Sequence, residues 1–162
     1  MTDSQVVTVQ QTARTAVPVF TSDFSGNNNP FDLWNSNNAS MSINNGKLRV
    51  QINSKGTNAY EPQLVHNCGD NSFVDGRVYY IKFTLSGTNN GNAADNLIYA
   101  KMQDNNSNYR VAVDFDPIEV TSEERTVIVE GECDGTGNYL VIHVGWFKGT
   151  INIDNFEFGY YQ

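Results

Sequence analysis

Residues 139–159 read YLVIHVGWFKGTINIDNFEFG. Two alternating runs flank a short glycine-containing link. In an extended chain successive side chains point to opposite faces, so Leu140, Ile142 and Val144 share one face while Tyr139, Val141 and His143 share the other. The second run sends Ile151 and Ile153 inward. A change of phase near Asp154 then turns Phe156 and Phe158 inward as well. This hairpin therefore predicts a sheet with a core on one side and a tyrosine and an imidazole on the other.

The same period-2 rhythm continues outward, and long helical periodicity is missing. Strands are predicted over 17–24, 39–44, 47–53, 59–66, 77–86, 96–103, 108–115, 118–120, 125–132, 138–145 and 150–158. Turn signals such as INNGK, GTNNGNAADN, QDNNSN and CDGTGN separate them. Many short strands without intervening helices predict an all-β sandwich or jelly roll. In 77–86, Tyr79, Ile81, Phe83 and Leu85 form the core face. The Asn-rich stretch 26–38 reads as an ordered loop over one end, anchored by Phe31, Leu33 and Trp34. Residues 1–16 read as a flexible segment or linker edge, and 17–162 as one module. The start carries neither a secretory signal pattern nor a cleavage site, as expected for the edge of a module from a longer chain.

Bulk composition narrows the partners. Eighteen acidic against ten basic side chains give a formal charge of −8 in 162 residues. Such a surface repels a phosphate backbone and an anionic membrane, and no basic stripe offsets it. No apolar run reaches the roughly 20 residues of a spanning helix. The two cysteines, Cys68 and Cys133, cannot build a zinc site; they allow one disulfide or two free thiols.

The off-core face has the makings of a sugar platform. Sugar rings present apolar C–H faces, which pack on aromatics, and hydroxyl edges, which bond to amides, carboxylates and imidazoles. NAYEPQLVHN offers Tyr60 and Gln63; LIYAKMQD offers Tyr99, Lys101 and Gln103 in one row; SNYRVAVD offers Tyr109, Val111 and Val113, with Arg110 and Asp114 close by. A lone strand Tyr or His is more often ordinary packing, so periodicity leaves the ligand open. Trp34, beside Leu33 and Phe31, reads as core or loop anchor.

Taken in order, several stretches resemble carbohydrate-binding modules of the family 4, 9, 16 and 22 type. FTSDFSGNNNPFDLWNSNNASMSINNGKLRVQI resembles their opening, AYEPQLVHN their next strand, and FVDGRVYYIKF their Gly-x-x-Tyr-x-x-x-Phe strand, with Gly76, Tyr79 and Phe83 in place. VIHVGWFKGTINIDNFEF is similar to their closing hairpin, and the likeness spans roughly residues 19–159. It implies two antiparallel sheets whose concave face holds a single glycan chain. Tyr60 would form one wall with Gln63 beside it, Tyr109 the facing wall, Asp114 or Arg110 an edge contact, His143 the floor and Trp146 the rim. At position 60 relatives often carry Trp, so this platform would be smaller.

The resemblance also implies a structural calcium held by Asp154, Asp23, Ser25 and a main-chain oxygen at Lys47, with Ser25 standing where a Glu is usual. Oxygen donors of this kind suit a hard cation. In such a topology the strand ending near His66 and the one starting near Asn138 would be neighbours. The loops bearing Cys68 and Cys133 would then meet, which favours a disulfide and an extracellular protein. A monomer attached to a catalytic domain that degrades plant polysaccharide is expected, binding xylan, β-glucan, amorphous cellulose or mannan.

Jelly rolls also host glycoside hydrolases and lyases. Hydrolysis needs two carboxyls flanking the bond, and no Glu-x-Asp-x-Glu string exists here. Glu123 and Glu124 are adjacent on a turn, Asp114 and Asp116 lead out to Pro117, and only His66 and His143 offer imidazoles. A basic lyase cleft is at odds with the charge. Binding without catalysis is therefore the expectation, with an enzyme or an adhesive protein-interaction sandwich as alternatives.

Overall fold

Alternate apolar side chains can share one face only in an extended chain, and here each strongly alternating run has become a strand. The computed structural model describes residues 14–162. In chain order the strands are β1 (Ala16–Ser22), β2 (Asp32–Trp34), β3 (Ala39–Asn44), β4 (Lys47–Ile52), β5 (Gln63–Asn67) and β6 (Val78–Asn89). There follow β7 (Leu97–Asp104), β8 (Arg110–Asp114), β9 (Ile118–Glu119), β10 (Arg125–Glu132), β11 (Tyr139–His143) and β12 (Gly149–Tyr161).

They form two six-stranded sheets. One runs β10-β6-β12-β4-β3, with β1 added to β12; the other runs β2-β5-β11-β7-β8, with β9 added to β7. Every pairing is antiparallel. The protein is thus an all-β sandwich of the jelly-roll kind. Among the described residues no helix is long and apolar enough to cross a membrane.

Between the sheets lie Leu48, Val50, Ile81, Phe83, Leu85 and Ile151 from one side, and Leu64, Ile98, Met102, Leu140 and Ile142 from the other, all fully buried. Each such side chain stabilises the fold by about 1.5–3 kcal/mol. The closing hairpin behaves as its rhythm predicts. Ile151 and Ile153 are buried, the register shifts between Asp154 and Glu157, and Phe156 and Phe158 are buried beyond it. Asn155, with φ 48°, makes this bulge. At that point β12 leaves β4 (Ile153↔Leu48) and takes up β1 (Phe156↔Ser22).

β6 and β12 each run three residues beyond expectation, to Asn89 and Tyr161, and three further differences bear on the cleft. The stretch 26–38 is not all loop, because 32–34 pairs with β5 as an edge strand. Strand 59–66 begins only at Gln63, since the chain before it forms a turn in which the Glu61 N–H donates to the Asn58 carbonyl at 3.1 Å. Strand 108–115 begins at Arg110, because Asn108 and Tyr109 are both left-handed, with φ 53° and 59°. Of the expected flexible segment 1–16, residues 1–13 lie outside the described residues. Arg14 is docked: its guanidinium pairs with Glu130 at 3.1 Å and lies 4.2 Å from the Tyr161 ring centroid.

The expected disulfide is corrected too. β5 and β11 are neighbours, with Asn67 opposite Tyr139, but Cys68 and Cys133 are both free thiols. Cys133 closes β10 in the other sheet, where its N–H donates to Arg77, whereas the Cys68 N–H donates to Asn138. Burial pushes the Cys68 thiol pKa up to about 12, which leaves it unreactive.

Candidate ligand-binding cleft

The register of the β2-β5-β11-β7-β8 sheet arranges its outward side chains in three rows. Trp34, Gln63, His143 and Tyr99 face one another in the first. Asp32, Val65, Val141, Lys101 and Asp114 make the second, and Asn67, Tyr139, Gln103 and Val111 the third. The intervening positions, such as Leu64, Ile142 and Ala100, point into the core. A cleft of about 490 Å³ lies over these rows.

Its floor is made by Gln63, His143, Lys101 and Gln103, and its walls by Trp34, Tyr60, Tyr109 and Val111. Trp34 leans from the first row towards Tyr139 in the third, with ring centroids 5.3 Å apart. Val65 and Val141, in the row between, are buried although they face outward. The site thus includes a tryptophan that the sequence reading took for a loop anchor. The available signal was the alternation in DLW: once Leu33 points inward, Trp34 must point out.

Both exposed tyrosines stand on turns held by polar contacts. Ahead of β5, the Glu61 carboxylate accepts from the Asn58 N–H at 3.0 Å, and Gly145 N–H donates to the Ala59 carbonyl at 2.7 Å. Gly145 is needed there, because a Cβ would lie 2.5 Å from the Glu61 carbonyl oxygen. Tyr109 follows a 3₁₀ turn (Asn105–Ser107) whose first free N–H, at Asn106, is accepted by the Asp104 carboxylate. The Asp70 carboxylate accepts from the side-chain amides of Asn106 (2.9 Å) and Asn138 (3.0 Å). Asn138 in turn accepts from the Asn105 N–H at 2.9 Å, and Asn105 accepts from Gln103 at 2.6 Å. Wall and floor are thereby tied together. Left-handed backbone at a bulky Tyr is unusual and costs energy that the surrounding contacts must supply.

Electrostatically the floor is close to neutral. Burial, aided by the Lys101 ammonium and opposed by the Asp114 carboxylate, pushes the His143 pKa down to about 4. The imidazole is therefore uncharged at neutral pH and offers one donor and one acceptor. Lys101 pairs with Asp114 at 3.5 Å. The Gln63 side-chain oxygen is buried and, among the described residues, is the one buried side-chain polar atom that accepts no hydrogen bond.

The sequence-derived candidates divide accordingly. Tyr60, Gln63, Gln103, Tyr109 and His143 come together at the cleft. Tyr99 ends the first row but packs at right angles against Trp146, with centroids 5.8 Å apart at 89°. Trp146 lies in a separate hollow rather than on the rim, because the turn after β11 carries it past the sheet end. Arg110 is drawn away by Asp134, which it meets through the carboxylate (3.1 Å) and the carbonyl (2.6 Å). Asp114 is an edge residue engaged by Lys101.

Of the metal candidates, Asp23 and Asp154 sit on either side of the β12 bulge, next to the strand partners Ser22↔Phe156 and Ile153↔Leu48. The Asp23 carboxylate accepts from the Ser25 N–H and hydroxyl, which hold its pKa low. The Lys47 ammonium pairs with Glu124, and this contact, with Asp154 nearby, raises its pKa. Among the described residues no three acidic, His or Cys side chains gather as a metal set. The Asp23 and Asp154 carboxylates are oxygen donors of the kind that a hard cation takes.

No family model and no curated protein matches the chain by sequence. Solved structures do match. A family 4 carbohydrate-binding module shares 17% identity and a TM-score of 0.64, over 81% of this chain and 94% of its own. The family 22 xylan-binding domain of Xyn10C from Paenibacillus barcinonensis shares 10% identity and a TM-score of 0.65, over 92% and 97%. A mutant of the family 29 module CBM29-2 complexed with cellulohexaose shares 14% identity and a TM-score of 0.59, over 90% and 91%. The fold is the one these carbohydrate-binding modules share.

Proposed function

We propose that the protein is a non-catalytic carbohydrate-binding module that lays one β-linked glycan chain in the cleft. The observation that carries this reading is the lone acceptor on Gln63, buried in a floor beneath aromatic rings. A buried acceptor without a donor costs about 1–3 kcal/mol. Once the Gln63 amide turns towards the cleft, a sugar hydroxyl supplies that donor, while the C–H face of the same ring packs on Trp34, Tyr60 or Tyr109. Neutral His143 and the amide of Gln103 can meet further hydroxyls.

A hydrolase would need a carboxyl pair about 5–5.5 or 6.5–9.5 Å apart. This cleft presents amides, an imidazole, an ammonium and aromatics, and the neighbouring carboxylate of Asp114 is engaged by Lys101. Xylan, β-glucan, amorphous cellulose and mannan all have the equatorial edges that such a floor can bind. Attachment to an exported polysaccharide-degrading enzyme would let the module concentrate that enzyme on its substrate. A structural calcium held by Asp23, Asp154 and main-chain oxygens belongs to the same proposal; when bound it would cross-link the strands around the bulge.

Affinity electrophoresis in gels containing each polymer tests the reading. Retardation with the polymer left intact is expected. Release of reducing ends would overturn the non-catalytic reading, and free migration in all four polymers would overturn carbohydrate binding.

A further inference from the structure

The second tryptophan lies outside the cleft yet has the features of a binding platform. Trp146 is 40% exposed on the turn between β11 and β12. Its indole N–H donates to the Thr57 carbonyl at 3.4 Å, and Tyr99 braces it edge-on. Its polar edge is thus engaged by Thr57, and the exposed part of the ring lines a hollow of about 370 Å³, together with Asn90, Asn92, Lys148 and the Lys55–Asp95 ion pair (3.0 Å). The size falls within the range of small-molecule clefts, about 300–1,000 Å³.

The hollow is held in shape by its backbone. Asn90 N–H donates to the Lys148 carbonyl at 2.8 Å, joining the β6–β7 loop to the turn that bears Trp146. The Asn89 side chain accepts from Gly91 N–H at 2.8 Å and donates to the Asn92 carbonyl at 3.0 Å. Lys148 makes no ion pair among the described residues. An aromatic face ringed by amides and an ammonium has the chemistry of the cleft repeated on a smaller scale.

We infer that Trp146, Asn90, Asn92 and Lys148 form a second, independent sugar site that takes one or two pyranose units. The two sites share no lining residue. The ligand class rests on the carbohydrate reading of the cleft; the existence of a separate site rests on its own geometry. Two sites on one module would grip a polymer bivalently, so affinity for polysaccharide would exceed that for short oligomers without further contacts.

The chain has two tryptophans, one in each site, so the indole N–H signals in a ¹H–¹⁵N spectrum report the sites separately. Cellotetraose, xylotetraose and mannotetraose are each titrated through the millimolar range. Both signals are expected to move, with different midpoints. Tyr109→Ala should raise the Trp34 midpoint about tenfold or more, a loss of roughly 1.4 kcal/mol, and leave the Trp146 midpoint in place. Movement of Trp34 alone overturns the second site and leaves the cleft reading intact. A common midpoint lost from both signals in Tyr109→Ala also overturns it, since Trp146 would then merely sense the cleft. Movement of Trp146 alone upholds the second site against the cleft reading. Two stationary signals with all three sugars overturn both.

Discussion

The ring of Tyr60 stands edge-on to the imidazole of His143, with centroids 6.1 Å apart and planes at 69°. One belongs to a turn and the other to a strand, so this contact fixes the angle between a wall of the cleft and its floor. Edge-to-face packing of this kind is worth about 0.5–1.5 kcal/mol.

Tyr60 and Tyr109 are 43% and 62% exposed, so their rings add little to the core. Tyr60→Ala should weaken glycan binding about tenfold, near 1.4 kcal/mol, and lower the melting temperature by only about 1–6 °C as the contact with His143 is lost. Tyr109→Asn should act on stability in the opposite sense to binding. Asn tolerates the left-handed backbone at φ 59°, so stability should rise by up to about 1 kcal/mol as affinity falls. Calorimetric titration and thermal unfolding check both, and unchanged affinity in both variants would disprove the wall assignment.

Gln63→Met keeps the length of the side chain and removes the lone buried acceptor. Unfolding in denaturant should show a gain of about 1–3 kcal/mol, while affinity drops at least about tenfold. A variant that is both less stable and fully able to bind would show that the amide serves the fold rather than a ligand.

The pH response follows from His143, whose folded pKa of about 4 lies below its ordinary 6.5. Between those values the unfolded chain takes up a proton that the folded chain refuses. Stability is therefore complete above pH 6.5 and falls as pH drops towards 4. Solvent screening at this largely but not fully buried group limits the loss to about 1–2 kcal/mol. Lys101, Asp114, Tyr60 and Tyr99 surround the imidazole, and of these Lys101 deepens the shift while Asp114 opposes it. Affinity should stay level from pH 8 to about 5. His143→Gln should flatten the stability profile, and an affinity step near pH 6.5 would contradict the buried, neutral imidazole.

Asp70 does not line the cleft but accepts from both Asn106 and Asn138. Asp70→Ala should loosen the turn that carries Tyr109 and weaken binding about three- to tenfold, up to roughly 1.4 kcal/mol. Asp70→Asn keeps a side-chain oxygen as acceptor and should restore most of the loss. Equal affinity in all three proteins, measured by titration, would show the network to be idle in binding.

If Asp23 and Asp154 hold calcium, chelation should lower the melting temperature, since a ligand bound only to the folded state stabilises it by mass action. Asp154→Ala should abolish the response to both chelator and added calcium. A melting temperature indifferent to either in the native chain rules the metal out.

The sandwich could be read from the chain because its cues are local. Ile151, Ile153, Phe156 and Phe158 announce their own phase change, and Tyr139 and His143 fall opposite Leu140 and Ile142 by alternation alone. The alternation in DLW places Trp34 outward only once the stretch is known to be a strand, and three residues are too few to announce one. The rhythm puts Tyr60 and Tyr109 on strands, since neither the turn closed by Glu61 and Asn58 nor two left-handed residues alters hydrophobic alternation. Arg110 is drawn off by Asp134, 24 positions away, and Trp146 lies on a turn past the sheet end, where its indole N–H meets the distant Thr57 carbonyl. The Asp70–Asn138 tie spans 68 positions and leaves no local trace.

The floor of the cleft is woven into hydrogen-bonded strands, whereas two of its aromatic walls rest on bends that add nothing to the ladder. Descendants of this chain could therefore swap or resize those bends and acquire a taste for differently decorated polymers, while the woven base, and with it the capacity to fold, passes on untouched.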